Sequence, residues 1–137
     1  MEKQIESKSN NRLAKVKKVI VYGALACFAF LFIFNLWACF SIRSGVKEIS
    51  AEATQHYPCD RVEALITYVK SENQSLRQRN LAVWALGQIG DKHALPVLNQ
   101  FYTGGPCDHD SRLCQHELQK AIKLCQGSFN ATAWLPR

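Results

Sequence analysis

The sequence predicts an all-α chain in which one N-terminal transmembrane helix is followed by a short solenoid of about five helices. Three observations carry this. Residues 19–40 form an uncharged apolar run; the residues after it place apolar side chains at helical spacing between glycine, proline and aspartate; and that spacing recurs about 33 places further on. No strand-like alternation of useful length interrupts the pattern.

The apolar run is VIVYGALACFAFLFIFNLWACF, with Asn35 its one strongly polar side chain. As a helix it spans about 33 Å, enough for a hydrocarbon core of about 30 Å. A soluble domain this small offers no interior able to hide a helix that is apolar all round. Direction follows from the flanks: Lys3, Lys8, Arg12, Lys15, Lys17 and Lys18 precede the run, whereas Arg43 and Lys47 after it are offset by Glu48 and Glu52. The positive flank is expected in the cytosol. This predicts a single-pass protein of an inner or plasma membrane, with its C-terminal domain periplasmic or extracellular. Ala24, Leu25 and Ala26 lie inside the run, so the segment reads as an uncleaved signal anchor. Leu36, Trp37, Ala38 and Cys39 resemble a bacterial lipobox, but Trp37 stands where a small residue is usual. Cys39 is therefore read as an ordinary membrane cysteine, with lipidation as the alternative.

The predicted organisation is a basic cytosolic tail over 1–18, a transmembrane helix over 19–42, a helical domain over 43–127 and a tail over 128–137. The formal charge of +6 divides unevenly. Residues 1–18 hold +4 of it, and what remains forms no basic stripe interleaved with aromatics. The basicity reports topology, and no nucleic-acid partner is expected.

Within 43–127, Ser44 and Gly45 are expected to open a helix in which Val46, Ile49, Ala53 and Tyr57 recur until Pro58. Asp60 caps a second helix with Val62, Leu65, Ile66 and Val69 inside. After the polar turn 71–75, Leu76 to Ile89 is the strongest helix, with Leu81, Ala85 and Ile89 on one face and Gly90 at its left-handed end. Asp91 caps a helix over about Lys92 to Thr103, with Pro96 in its tolerant first turn. Gly104, Gly105 and Pro106 end it. The last helix is expected from about Ser111 to Gln126, burying Leu113, Leu118, Ile122 and Cys125.

These helices repeat. A shift of 33 carries Val62, Leu65 and Val69 onto Leu95, Leu98 and Tyr102, and a shift of 37 carries Leu76, Leu81, Ala85 and Gly90 onto Leu113, Leu118, Ile122 and Gly127. The four extra places fit an insertion around Cys107. A weaker shift of 32 maps Ile49, Ala53 and Tyr57 onto Leu81, Ala85 and Ile89. Helix pairs at that period read as a solenoid whose units bury their faces only by stacking.

Residues 79–98, RNLAVWALGQIGDKHALPVL, resemble one unit of a HEAT-like repeat, the short kind found in many bacterial proteins and in phycobilin-lyase subunits. Arg79, Ala82, Ala85, Leu86, Gly87, Ile89, Gly90, Asp91, Ala94, Leu95, Pro96 and Leu98 carry the resemblance. It implies a scaffold for contacts with another protein, made by the second helices of each pair. On that reading Tyr68, Asn99, Gln100 and Phe101 are the candidate contact residues, with Trp134 in the tail as a further docking element. The last repeat lacks the A-L-G-x-I-G-D signature and a second helix, as a terminal cap would.

Cys59, Cys107, Cys114 and Cys125 are an even set in a compartment expected to be oxidising, which makes disulfides the default. Cys114 and Cys125 lie about 16 Å apart along one helix, too far to bond. Cys107 can reach Cys114 through the intervening loop. Cys59 and Cys125 are then the remaining pair, but a regular stack separates them by two layers, so one or both stay free as the alternative. A competing reading is a metal- or thiol-dependent accessory domain, because Cys107, His109, Cys114 and His116 lie within ten residues. Their spacing lacks the C-x-x-C knuckle of most structural zinc sites, so no metal and no cofactor are expected. No nucleophile elbow, phosphate-binding glycine loop, H-E-x-x-H or C-x-x-C pair occurs, and no enzyme activity is expected. Asn73 and Asn130 match glycosylation acceptors, relevant only in a eukaryotic secretory pathway.

Overall fold

The computed structural model describes residues 2–108 and 110–129, and side chains from Lys15 onward except Val16. Its elements are α1 Glu2–His56, α2 Arg61–Lys70, α3 Leu76–Ile89, a 3-10 turn Lys92–Ala94, α4 Leu95–Phe101 and α5 Gln115–Cys125. Among the described residues no strand is present. The chain divides into two units, Met1–Phe40 and Ser41–Arg137.

In the first unit the apolar run is helical and its large side chains face outward, Phe28 at 75% exposure and Phe40 at 71% among them. Among the described residues α1 is the one helix long and apolar enough to cross a membrane. Among the described residues none in its most apolar stretch is buried.

The second unit holds a single core. Ile49 and Ala53 come from α1, Leu65, Tyr68 and Val69 from α2, Ala82, Val83, Ala85 and Leu86 from α3, Val97 and Leu98 from α4, and Leu118, Ala121, Ile122 and Cys125 from α5. The predicted inner positions of α2 are all buried, because Val62, Leu65, Ile66 and Val69 fall on one helical stripe. Local chemistry fixes the ends. Asp60 accepts the Val62 amide proton at 3.0 Å and starts α2. Ser75 accepts from the Gln78 amide at 3.3 Å and starts α3. Gly90, at φ 70°, lets its amide close on the Leu86 carbonyl at 2.9 Å and end that helix. Asp91 then accepts from the His93 amide at 2.9 Å to begin the next turn. Gly127, which the 37-residue shift pairs with Gly90, also has positive φ, 96°. The repeat is therefore legible in backbone geometry as well as in side chains.

Four expectations are corrected. Ser44 and Gly45 do not open a new helix: α1 runs through them to His56. A glycine inside a helix costs only about 1 kcal/mol, and here its missing side chain leaves room for Trp84. Leu81 is not inside: it is 43% exposed, and Ala82, Val83, Ala85 and Leu86 make the buried face of α3 instead. The helix predicted over Lys92 to Thr103 is a 3-10 turn followed by α4, ending at Phe101. The last helix begins at Gln115, four residues later than Ser111, because Gln115 holds the preceding segment as an extended loop.

That loop is pinned by one buried amide. Gln115 Oε1 accepts from the Thr103 amide at 2.7 Å, while its Nε2 donates to the Phe101 and Leu113 carbonyls at 3.2 and 3.1 Å. Asn80 Oδ1 accepts the Cys114 amide proton at 2.8 Å and ties the start of α5 to α3. Arg79 performs a similar task at the other face of α3. Its Nε donates to the Val69 carbonyl at 2.8 Å, and its guanidinium lies 5.7 Å from the Phe101 ring centroid. One side chain thus joins α2, α3 and α4, which explains why an arginine suits that place in the repeat.

Candidate functional site

The helices α1, α3 and α5 meet unequally, and the inequality leaves a groove. Gly87 of α3 packs so near α5 that a Cβ there would sit 2.8 Å from Ala121 Cα. One turn earlier on the same helix, Trp84 reaches toward α1, with its ring edge 3.3 Å from where a Gly45 Cβ would be. The result is a hollow of about 720 Å³ lined by Gly45, Glu48, Ile49 and Glu52 from α1, Arg77, Asn80, Leu81 and Trp84 from α3, and Glu117 from α5. A smaller one of about 190 Å³ continues past Trp84 along Gly87, Gln88, Lys120, Ala121 and Leu124. From Arg77 to Gln88 the α3 side of this track is about 16 Å long.

Charge in the larger hollow runs opposite to that of the whole chain: three carboxylates face one guanidinium. Glu52 is held in place by neutral donors. Tyr68 Oη donates to its Oε1 at 2.6 Å and Gln78 Nε2 donates to the same oxygen at 2.7 Å. Neither donor neutralises the carboxylate. Burial and then the adjacent Glu52 push the Tyr68 phenol well above its ordinary range, so the hydroxyl stays a donor. Glu117 pairs with Lys120 at 3.2 Å on the surface of α5, and Glu48 is exposed.

The residues proposed from sequence as contacts are not gathered together. Tyr68 is wholly buried, its ring between helices and its hydroxyl on Glu52. Phe101 is half-buried beneath Arg79. Asn99 and Gln100 are exposed on α4. Trp134 and His109 lie outside the described residues. Missed by sequence reasoning were Glu48, Glu52, Leu81, Trp84 and Glu117. For Leu81 and Trp84 the available signal was that α3 carries more apolar residues than a single buried stripe can use; the three carboxylates carried none.

All six cysteines are free. Cys107 Sγ and Cys114 Sγ nevertheless lie 3.1 Å apart. The Cys107 sulfur also accepts the His116 amide proton at 3.3 Å, at the start of α5. Hydrogen bonds from Cys114 and then from that amide lower the Cys107 thiol below its ordinary range. Cys59 is exposed, with its sulfur on the Tyr57 carbonyl at 3.5 Å. Cys125 is buried and donates to the Leu86 carbonyl at 3.6 Å. Burial, followed by the nearby Asp91 charge, pushes its thiol up to about 11. Among the described residues no three His, Cys, Asp or Glu side chains cluster so as to hold a metal ion.

Helix pairs joined by tight turns and stacked side by side define a short α-solenoid. Residues 78–103, which run from Gln78 in α3 to Thr103 just beyond α4, match the profile of the PBS lyase HEAT-like repeat family. Over that stretch the chain is similar to one such repeat. No curated protein and no solved structure matches the chain.

Proposed function

We propose that the chain is a non-catalytic, single-pass membrane protein that presents its HEAT-like stack outside the cytosol as a docking scaffold for another protein. The groove on α3 carries this reading. Leu81 is exposed and Trp84, which packs in part against the core, keeps the rest of its ring on the groove, so the helix with the repeat signature leaves apolar surface open to solvent. The uncovered apolar surface of residues 19–40 supports the anchor, since water would otherwise face a full turn-by-turn belt of Phe, Leu and Ile. The excess of Lys and Arg before that segment supports a cytosolic N-terminus.

The terminal repeat is stapled in the same reading. Cys107 and Cys114 oxidise to a disulfide in the extracytoplasmic compartment, which their 3.1 Å separation favours. Closing so short a loop contributes about 2 kcal/mol by the chain-entropy account.

A photo-crosslinking residue placed at Leu81 and, separately, at Gln100 tests the scaffold in native membranes. Capture of a second protein from either position is expected. Capture from neither sinks the scaffold. Protease treatment of intact cells tests the topology: the helical domain is expected to be cut and the basic segment protected. Mass measurement after alkylation without reductant is expected to leave Cys107 and Cys114 unmodified.

A further inference from the structure

We infer that the α1–α3–α5 groove takes a cationic, apolar peptide segment, in which lysine or arginine lies beside leucine-like side chains. The inference rests on the scaffold reading and names the chemistry of the partner. Two features of the groove select this occupant. Its floor is apolar, built from Ile49, Leu81 and Trp84, so a charged peptide with no apolar side chains finds nothing to cover. Its α1 wall is anionic, with Glu48 and Glu52 one helical turn apart and Glu117 opposite, against Arg77 alone.

Glu52 is the discriminating residue. A carboxylate that a lysine of the same domain neutralised would be part of the fold's own surface. Here Tyr68 and Gln78 orient the group through neutral hydrogen bonds and leave its charge standing at the groove wall. Glu117 differs, because Lys120 already pairs with it at the far end of the hollow. The cation of the partner therefore belongs at the α1 wall and its apolar side chains on Leu81 and Trp84. The chain as a whole is basic, so this negative wall is a local reversal that draws cations to the groove. A track of about 16 Å accommodates about three turns of a partner helix.

The test uses the full chain in nanodiscs of zwitterionic lipid, with empty nanodiscs as the control. The probes are three synthetic peptides of about 15 residues: one with lysine and leucine, one with glutamate replacing lysine, and one with serine replacing leucine. The lysine–leucine peptide is expected to bind, and raising the salt from about 50 to about 300 mM weakens it severalfold. Glu48→Lys reduces its affinity by about tenfold, and Leu81→Ser does so with less salt dependence. Both side chains are exposed, and unchanged circular dichroism confirms that the variants fold. Equal binding of the glutamate peptide, or indifference to both substitutions, overturns the inference. So does a groove variant that dissociates a dimer in sedimentation, since the occupant is then a second copy of the chain. Crosslinks to a partner from Gln100 but not from Leu81 overturn the groove while leaving the scaffold standing.

Discussion

Two positions one turn apart on α3 solve the same packing problem differently. Against α5 it presents Gly87 to Ala121, and the helices approach until backbone meets backbone. Against α1 it presents Trp84 to Gly45, and a large ring holds the helices apart. The α3–α5 approach is the most extensive in the molecule, whereas the backbone of α1 comes close to its neighbours at few points. Small residues on both partners produce a joint, and one large residue opposite a glycine produces a groove. Stability is concentrated at the first position and available surface at the second.

The comparison is tested most severely at Gly87. A valine there would have to push backbone rather than a side chain, so Gly87→Val is expected to cost about 3 kcal/mol, and Gly87→Ala about 2, in denaturant titrations followed by circular dichroism. Arg79→Ala comes next, at about 2 to 3 kcal/mol, since it removes a charged hydrogen bond to Val69 and the stacking on Phe101. Arg79→Lys keeps the charge but not the planar group, and is expected to recover less than half of that loss.

Cys125 tests the close side through pH. Its thiol is raised from 9.0 to about 11 in the fold, so the native state holds the proton more tightly than the unfolded chain does. The resulting stability is fully present below about pH 9 and is lost as pH rises toward 11, on the order of 2 kcal/mol. The Tyr68 phenol is raised too, from 10.0, and adds to the decline from about pH 10 upward. Cys125→Ala lowers the baseline because it opens a small cavity, but its unfolding curves should lose the slope between pH 9 and 10 and keep above that only the part due to Tyr68. A slope that persists unchanged assigns it to another group.

Gly45→Ala is expected to have the smallest effect and is the sharpest contrast. The added methyl meets the end of the Trp84 ring at 3.3 Å, and that ring can turn into the groove. Helix propensity gains about 1 kcal/mol, so the net change should lie within about 0.5 kcal/mol of zero. The same substitution therefore separates the two interfaces by about 2 kcal/mol. Equal losses at Gly45 and Gly87 would show that the α1 side is packed as tightly as the α5 side.

Much of the fold was legible because its signals are local. Asp60 and Asp91 accept amide protons two residues on, the Gly90 amide donates to the carbonyl four residues back, and each sits where the sequence places it. Leu76 and Ile89 bound α3 as expected. The candidate site was not legible, because it is made by residues from three helices whose separation depends on Trp84. Periodicity also misled at Leu81. A central helix that packs on α2 and α5 is apolar on more than one face, and spacing alone does not say which face is left in water. Tyr68 was misplaced for the converse reason: an exposed tyrosine and one whose hydroxyl reaches a carboxylate sixteen residues earlier look alike in sequence. The insertion around Cys107 was recognised, but the role of Gln115 in holding it depends on the Thr103 amide and the Phe101 carbonyl, twelve and fourteen residues away.

The close contact at Gly87 has a consequence for how such a chain changes over generations. A residue that admits no side chain is fixed by the fold, whereas Glu48 and Leu81 border a groove and complete no part of the core. Exchanging the latter alters what the surface accepts at little cost to folding. Recognition is thereby free to drift while the joint that supports it stays put.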